Sequence, residues 1–151
     1  MSIPKEYRIV ALRDCPTPES LQLCDTPEKA FEYWNTHLKS HPYLNADCEC
    51  MFVLLLNTRR RVKGHHLVSM GTTDTLLVDP KGIFRAAILA AASALVLMHN
   101  HPSGDPTPSE ADIKVTRDLI RAGQLVKIEV VDHVIVGAGR HCSLRGLGYF
   151  A

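Results

Sequence analysis

A single-domain α/β/α sandwich built on a mixed sheet is the fold this sequence should adopt. Three observations carry that expectation. The runs CMFVLLL and ALVLMH are apolar without alternation, so each reads as a strand covered on both faces. Helical segments opened by Thr26-Pro27, Asp79-Pro80 and Ser109 interleave with these strands, as in layered α/β chains. With 151 residues, 46% hydrophobic and 22% charged, the chain suits one cored domain and is too short for two comfortable ones. No repeat or linker divides it, and the expected organisation is an extension over 1–27 followed by a domain over 28–151.

Taken in order, EYRIVALR (6–13) alternates loosely and predicts a strand, and the proline-bearing stretch after it predicts a loop. Thr26 caps and Pro27 starts a helix on which Ala30, Phe31, Trp34 and Leu38 recur at helical spacing, which places Trp34 in the core. HPYLNAD breaks that helix. CECMFVLLLN and HLVSMGT predict a hairpin joined by the charged link TRRRVKGHH. Arg59, Arg60, Arg61 and Lys63 in that link read as a solvated turn rather than a phosphate-binding patch. An alanine-rich helix should run from Asp79-Pro80 to about Ser93, followed by the ALVLMH strand. A further helix is expected from Ser109 to Ala122 with Gly123 as its stop, then two short strands around Asp132, with SLRGLGYFA closing the chain.

Charge and composition exclude several function classes. A formal net charge of +1 supplies no global attraction to nucleic acid or anionic lipid. The longest apolar run, Ala86 to Met98, is too short to span a bilayer and contains Ser93. The start MSIPKEYRIV has no apolar signal-peptide core, so a cytoplasmic protein without a membrane partner is expected. Cys15, Cys24, Cys48, Cys50 and Cys142, odd in number and irregular in spacing, should be reduced thiols. Cys48 and Cys50 form a C-x-C with no second pair at zinc-finger spacing, and read as buried thiols rather than ligands.

The chemistry concentrates in VLMHNHPSGDPTPSEADI (96–113). Residues i and i+2 of a strand point the same way, so His99 and His101 converge where the strand ends, with Asn100 facing away. Pro102 stops the strand, and the site lies at its carboxyl end, where α/β sheets usually bind ligands. Asp112, in the first turn of the next helix, supplies a third candidate donor. Two imidazoles and a carboxylate with an open fourth position are the donor set of a catalytic zinc. Ser109-x-x-Asp112 is equally a capping box, which serves the helix and nothing else. Glu49, between two cysteines at the mouth of an apolar strand, is either the general base of such a site or a strand-edge glutamate in solvent. Ser109 has a hydroxyl suited to an oxyanion. His133 reads either as a group orienting a ligand or as a satisfied structural histidine. His37, His41, His65 and His66 fall on expected helix ends and a turn and carry no assignment.

The string His99-Asn100-His101-Pro102, six residues, Ser109, two residues, Asp112 resembles the H-x-H-P-x6-S-x-x-D signature of JAMM/MPN metalloproteases. HNHPSGDPTPSEAD, with DHVIVG and SLRGLG downstream, is similar to the bacterial RadC family from about Glu28 onward. The resemblance implies zinc (Zn2+) held by His99, His101 and Asp112, with Ser109 assisting. It implies that Glu49 is the family's upstream glutamate, before an apolar strand ending at Asn57. It also implies a cytidine-deaminase-like core, though the deaminase H-x-E…P-C-x-x-C pattern does not occur here. Two departures stand out. The resemblance implies an N-terminal helix-hairpin-helix module in full-length RadC proteins, and the 25 residues of MSIPKEYRIVALRDCPTPESLQLCD are too short for it, which argues against DNA contact through that module. His141 stands where the family often has an aromatic residue, which raises a fourth-ligand role for it.

The leading expectation is therefore a zinc metalloprotease-type hydrolase of a peptide or isopeptide amide. A DNA-repair-associated accessory role and an inert MPN scaffold are the competing expectations.

Overall fold

The computed structural model describes residues 2–8, 10–76 and 78–150. Its centre is a five-stranded mixed sheet in the order β2-β1-β3-β4-β5. The strands are β1 (Cys50–Leu56), β2 (Val62–Met70), β3 (Ala94–Asn100), β4 (Glu129–Val136) and β5 (His141–Ser143). β1 runs antiparallel to both β2 and β3, β3 and β4 are parallel, and β5 returns antiparallel to β4. The helices are α1 (Glu19–Gln22), α2 (Pro27–Tyr33), α3 (Pro80–Leu89) and α4 (Glu110–Val126), and a π-helical turn, Trp34–Leu38, continues α2.

Every residue of β1, and all of β3 but Asn100, is buried, as the uninterrupted apolar runs require. The period of two then divides the core. Phe52, Leu54, Leu56, Val96 and Met98 face one way, onto Ala30, Tyr33, Trp34 and Leu38. Met51, Val53, Leu55, Leu95 and Leu97 face the other way, onto Ile83, Phe84 and Ala87 of α3 and Leu119 of α4. The result is an α/β/α sandwich around a mixed sheet. Trp34 is 4% exposed and meets Phe52 edge-on at 5.6 Å, so it packs in the core.

Several elements differ from the sequence expectation. The stretch 6–13 forms no strand over its described residues, which are exposed, and Ile9 lies outside the described residues. Apolar side chains there have no sheet to cover, and alternation without burial does not hold a strand. A helical turn, α1, occupies part of the expected loop. β2 begins at Val62, inside the link read as a turn, because register with β1 continues through Gly64, His65 and His66. α3 stops at Leu89, where Ala91 adopts φ 53° and Ser93 N–H donates to Leu56 O, turning the chain into β3. α4 runs through Gly123 to Val126 and ends at Lys127, which takes the left-handed conformation at φ 61°. Gly123 is a close-packing residue instead of a stop: a Cβ there would overlap the Ile128 carbonyl oxygen. The two short strands expected around Asp132 are one continuous strand, β4, and β5 follows after a turn.

Among the described residues, no helix is long and apolar enough to cross a membrane.

Candidate metal centre

β3 delivers His99 as a strand residue paired to Met51 and Ile135, and His101 just past the strand's end. His101 N–H donates to Val136 O, then Gly104 N–H donates back to His101 O, so Pro102-Ser103-Gly104 turns sharply away. Gly104 takes φ 87°, which explains a glycine at that point. The chain then reaches α4, where Ser109 is the N-cap. Ser109 Oγ accepts from Asp112 N–H at 3.1 Å, and Asp112 Oδ2 accepts from Ser109 N–H at 2.9 Å. The capping box is real, and it is also what aims the Asp112 carboxylate at the histidines.

Four side chains meet. Asp112 Oδ1 lies 3.3 Å from His99 Nε2 and Oδ2 lies 3.1 Å from His101 Nε2. Glu49 Oε1 lies 3.4 Å from His101 Nε2 and 3.8 Å from His99 Nε2. The donor atoms of Glu49, His99 and His101 all fall within 4.8 Å of one another, a group able to hold a metal ion. His99 is fully buried, and Glu49 and Asp112 are 5% and 6% exposed, so Glu49 is not a strand-edge glutamate in solvent.

Glu49 precedes β1, and its position is set by Asn100. The Asn100 Oδ1 accepts from Cys50 N–H at 2.8 Å and its Nδ2 donates to Cys48 O at 3.0 Å. One amide thus clamps the backbone on both sides of Glu49. Glu49 N–H and O complete the fit against Thr72 O and Gly71 N–H. Asn100 does face away from the histidines, as the strand period dictates, yet its role was missed because a side chain reaching a neighbouring strand's backbone leaves no trace in spacing.

The electrostatics follow from burial and crowding. Burial pushes the Glu49 carboxyl up, opposed by His101. Burial lowers His99, while Asp112 opposes the shift. The Asp112 carboxylate beside its Nε2 raises His101. Burial alone would raise Asp112, but the imidazoles of His101 and His99 beside it hold its carboxyl well below the usual carboxylate range.

These residues fit a metal. His99 Nε2 is buried without a hydrogen-bond partner, although Asp112 Oδ1 is 3.3 Å away: both atoms are directed at common space, not at each other. His101 Nδ1 lies 2.8 Å from Asp105 O, and a carbonyl can only accept, so His101 donates from Nδ1 and Nε2 is left to face the cluster. Ligands about 2.0–2.2 Å from a tetrahedral ion sit roughly 3.3–3.6 Å apart, close to the separations here.

Other candidates are placed elsewhere. His141 stacks on Phe31 at 4.7 Å with its Nε2 3.9 Å from Glu28 Oε1, outside the Glu49–His99–His101 group. Cys50 is buried and Cys48 half-buried, with Cys50 Sγ near Asn45 O at 3.6 Å. Arg60 pairs with Glu129 at 2.5 Å, Arg61 donates to Gln22 Oε1 at 2.9 Å and Lys63 donates to Ala91 O at 3.2 Å. His133 is fully buried behind His99, its Nε2 2.7 Å from His99 Nδ1. Thr116, one turn after Asp112, touches its other nitrogen, and nothing in the sequence marked it beyond the helical step of four. A cavity of about 560 Å³, lined by Phe31, Trp34, Leu44, Pro102 and Val136, borders His101 on the α2 side of the sheet.

Comparisons with known proteins agree on one family. The model of the RadC-like JAB domain matches residues 24–149. A UPF0758 protein of Caldanaerobacter subterraneus is 46% identical over 98 residues, covering 65% of this chain and 42% of that protein. A UPF0758 protein of Symbiobacterium thermophilum is 41% identical over 128 residues, covering 85% and 52% respectively. One of Coprothermobacter proteolyticus is 43% identical over 119 residues, covering 79% and 50%. The chain spans about half the length of the curated relatives it matches.

Proposed function

The chain belongs to the RadC-like JAB domain family, and on that premise we propose that it is a zinc-dependent JAMM-type hydrolase cutting a peptide or isopeptide amide. The observation that supports this most is the buried, unpartnered His99 Nε2 at the meeting point of Glu49, His101 and Asp112. Two imidazoles and one carboxylate are a hydrolytic zinc's ligands, and Glu49 is then the carboxylate left over for proton transfer.

In this reading His99, His101 and Asp112 hold the ion. Zinc bound there supplies Lewis acidity toward a carbonyl oxygen and lowers the pKa of water toward neutrality. Glu49 takes a proton from the attacking water as its oxygen bonds to the carbonyl carbon. Glu49 then returns that proton to the leaving nitrogen as the C–N bond breaks. Burial, which raises its pKa, suits a carboxyl that must hold a proton between those steps. Ser109 Oγ accepts from Asp112 N–H, which leaves its hydroxyl hydrogen for the developing oxyanion. The cavity beside His101 gives a substrate chain room to lie against the site.

The test compares wild type, Asp112→Ala and Glu49→Gln by elemental analysis and by cleavage of a panel of peptide and isopeptide amides. About one zinc per chain in wild type and Glu49→Gln, and near none in Asp112→Ala, is expected. Activity should fall by about 10²–10⁴-fold in Glu49→Gln with its metal retained. A fully active Glu49→Gln would overturn the mechanism, and equally low metal in wild type and Asp112→Ala would overturn the ligand set.

A further inference from the structure

Behind His99 runs a row of short, fully buried hydrogen bonds that amide hydrolysis as described does not use. His99 Nδ1 lies 2.7 Å from His133 Nε2, and His133 Nδ1 lies 2.7 Å from Thr116 Oγ1. Thr116 Oγ1 in turn donates to the Asp112 carbonyl oxygen at 2.7 Å. His99, His133 and Thr116 are each 0% exposed, so water cannot stand in for a missing partner.

The hydrogens in this row can be assigned by counting donors. A carbonyl oxygen carries no hydrogen, so the one hydrogen of the Thr116 hydroxyl occupies the contact with Asp112 O. Thr116 Oγ1 can then only accept from His133, which puts a hydrogen on His133 Nδ1. The contact between His133 Nε2 and His99 Nδ1 holds one hydrogen. Were it on His133, that ring would carry a full positive charge, fully buried and with no carboxylate bonded to it among the described residues, a costly arrangement. The hydrogen therefore sits on His99 Nδ1. A neutral His99 so arranged has a bare Nε2, the atom left unpartnered at the cluster.

We infer that Thr116 and His133 are positioning residues that lock His99 in the tautomer whose Nε2 lone pair faces the metal. His101 reaches the same state through one backbone carbonyl, that of Asp105. His99, fully buried in β3, reaches it through two side chains instead. The row also starts and ends on the metal ligands: Asp112 contributes its carboxylate to the cluster and its carbonyl to the anchor. A displaced α4 would therefore disturb two ligands together.

The inference rests on the zinc reading above, so the experiment separates the two. In the metal-free wild type, long-range proton–nitrogen correlation of the imidazoles should show hydrogen on Nδ1 of both His99 and His133. A His133 protonated on Nε2 overturns the inference regardless of metal binding. Zinc affinity by competition with a chromophoric chelator gives the second readout. Thr116→Val keeps the shape but removes the acceptor, freeing His133 to turn its hydrogen toward His99. Affinity should fall about 10–100-fold, and Thr116→Ser should restore it to within a few-fold. Equal affinity in wild type and a folded Thr116→Val overturns the inference while leaving the zinc site standing. A wild type that takes up no zinc overturns the zinc reading, and the tautomer spectrum then still decides the lock.

Discussion

Asn100 ends β3 and Glu49 stands just before β1, its antiparallel neighbour, and the amide of one decides where the carboxylate of the other stands. The two bonds from Asn100 go to Cys50 N–H and Cys48 O, one donor and one acceptor, which the two ends of its amide satisfy together. Asn100→Asp keeps the acceptor but sets a carboxylate oxygen against the Cys48 carbonyl. On the hydrolase reading its activity should fall about 10–100-fold with zinc content unchanged, because small displacements of a catalytic group are that costly. An unchanged rate would mean that strand pairing alone holds Glu49. A second residue-scale prediction concerns His65, whose Nδ1 faces the Tyr33 hydroxyl at 2.7 Å. Burial, with His37, His41, Arg13 and His66 nearby, lowers its pKa to about 4. The unfolded chain, near 6.5, takes up that proton first as pH falls. The group thus contributes stability that is fully present above about 6.5 and lost progressively toward about 4. Urea midpoints of wild type and His65→Gln should converge across that window on acidification, and parallel curves would refute the assignment.

At the scale of elements, the loop from His101 to the start of α4 shows one sequence pattern serving two ends. Ser109-x-x-Asp112 caps the helix by the reciprocal bonds expected of a capping box, and the same carboxylate turns to the histidines. Stability and activity can be separated here. Ser109→Ala should lose about 1 kcal/mol in urea unfolding, the usual cost of an N-cap. Ser109→Asp should recover that stability without recovering hydrolysis, since it accepts from Asp112 N–H but has no hydroxyl hydrogen to donate. A Ser109→Ala as active as wild type would reduce Ser109 to a cap. The elements that could be read in advance were those whose cause is local. The Thr26-Pro27, Asp79-Pro80 and Ser109 caps mark true helix starts, and the apolar runs mark true buried strands. The misjudged ends were decided by tertiary contact. Gly123 stays helical because Ile128 O passes too close for any Cβ, and Lys127 pays the left-handed penalty instead. β2 extends to Val62 because β1 offers it partners, whatever its own charged residues suggest.

Across the whole molecule, the candidate site joins segments far apart in the chain: Glu49 before β1, His99 and His101 at the end of β3, and Asp112 in α4. The motif around 99–112 made three of these legible, since strand period and helix cap place them within a short loop. Glu49 is brought in by the β1–β3 pairing that sets Met51 opposite His99, a long-range register that residue spacing alone does not contain. His133 likewise meets His99 only through the β3–β4 pairing, and Thr116 meets His133 only when α4 docks on the sheet. An ion bound by His99, His101 and Asp112 would tie β3 to α4 and favour the folded state over the unfolded chain, which has no such preformed site. At a free zinc concentration a hundredfold above its Kd, that linkage amounts to about 2.7 kcal/mol. For a chain of this size each kcal/mol moves the midpoint by roughly 2–4 °C, so zinc should raise the melting temperature by about 5–10 °C. Calorimetry with a chelator and then with added zinc measures it. Asp112→Ala should show no zinc-dependent shift, and Glu49→Gln should keep most of it, because Glu49 is reserved for the proton. A shift lost in Glu49→Gln but kept in Asp112→Ala would exchange the roles of the two carboxylates, making Glu49 the ligand and Asp112 the cap alone.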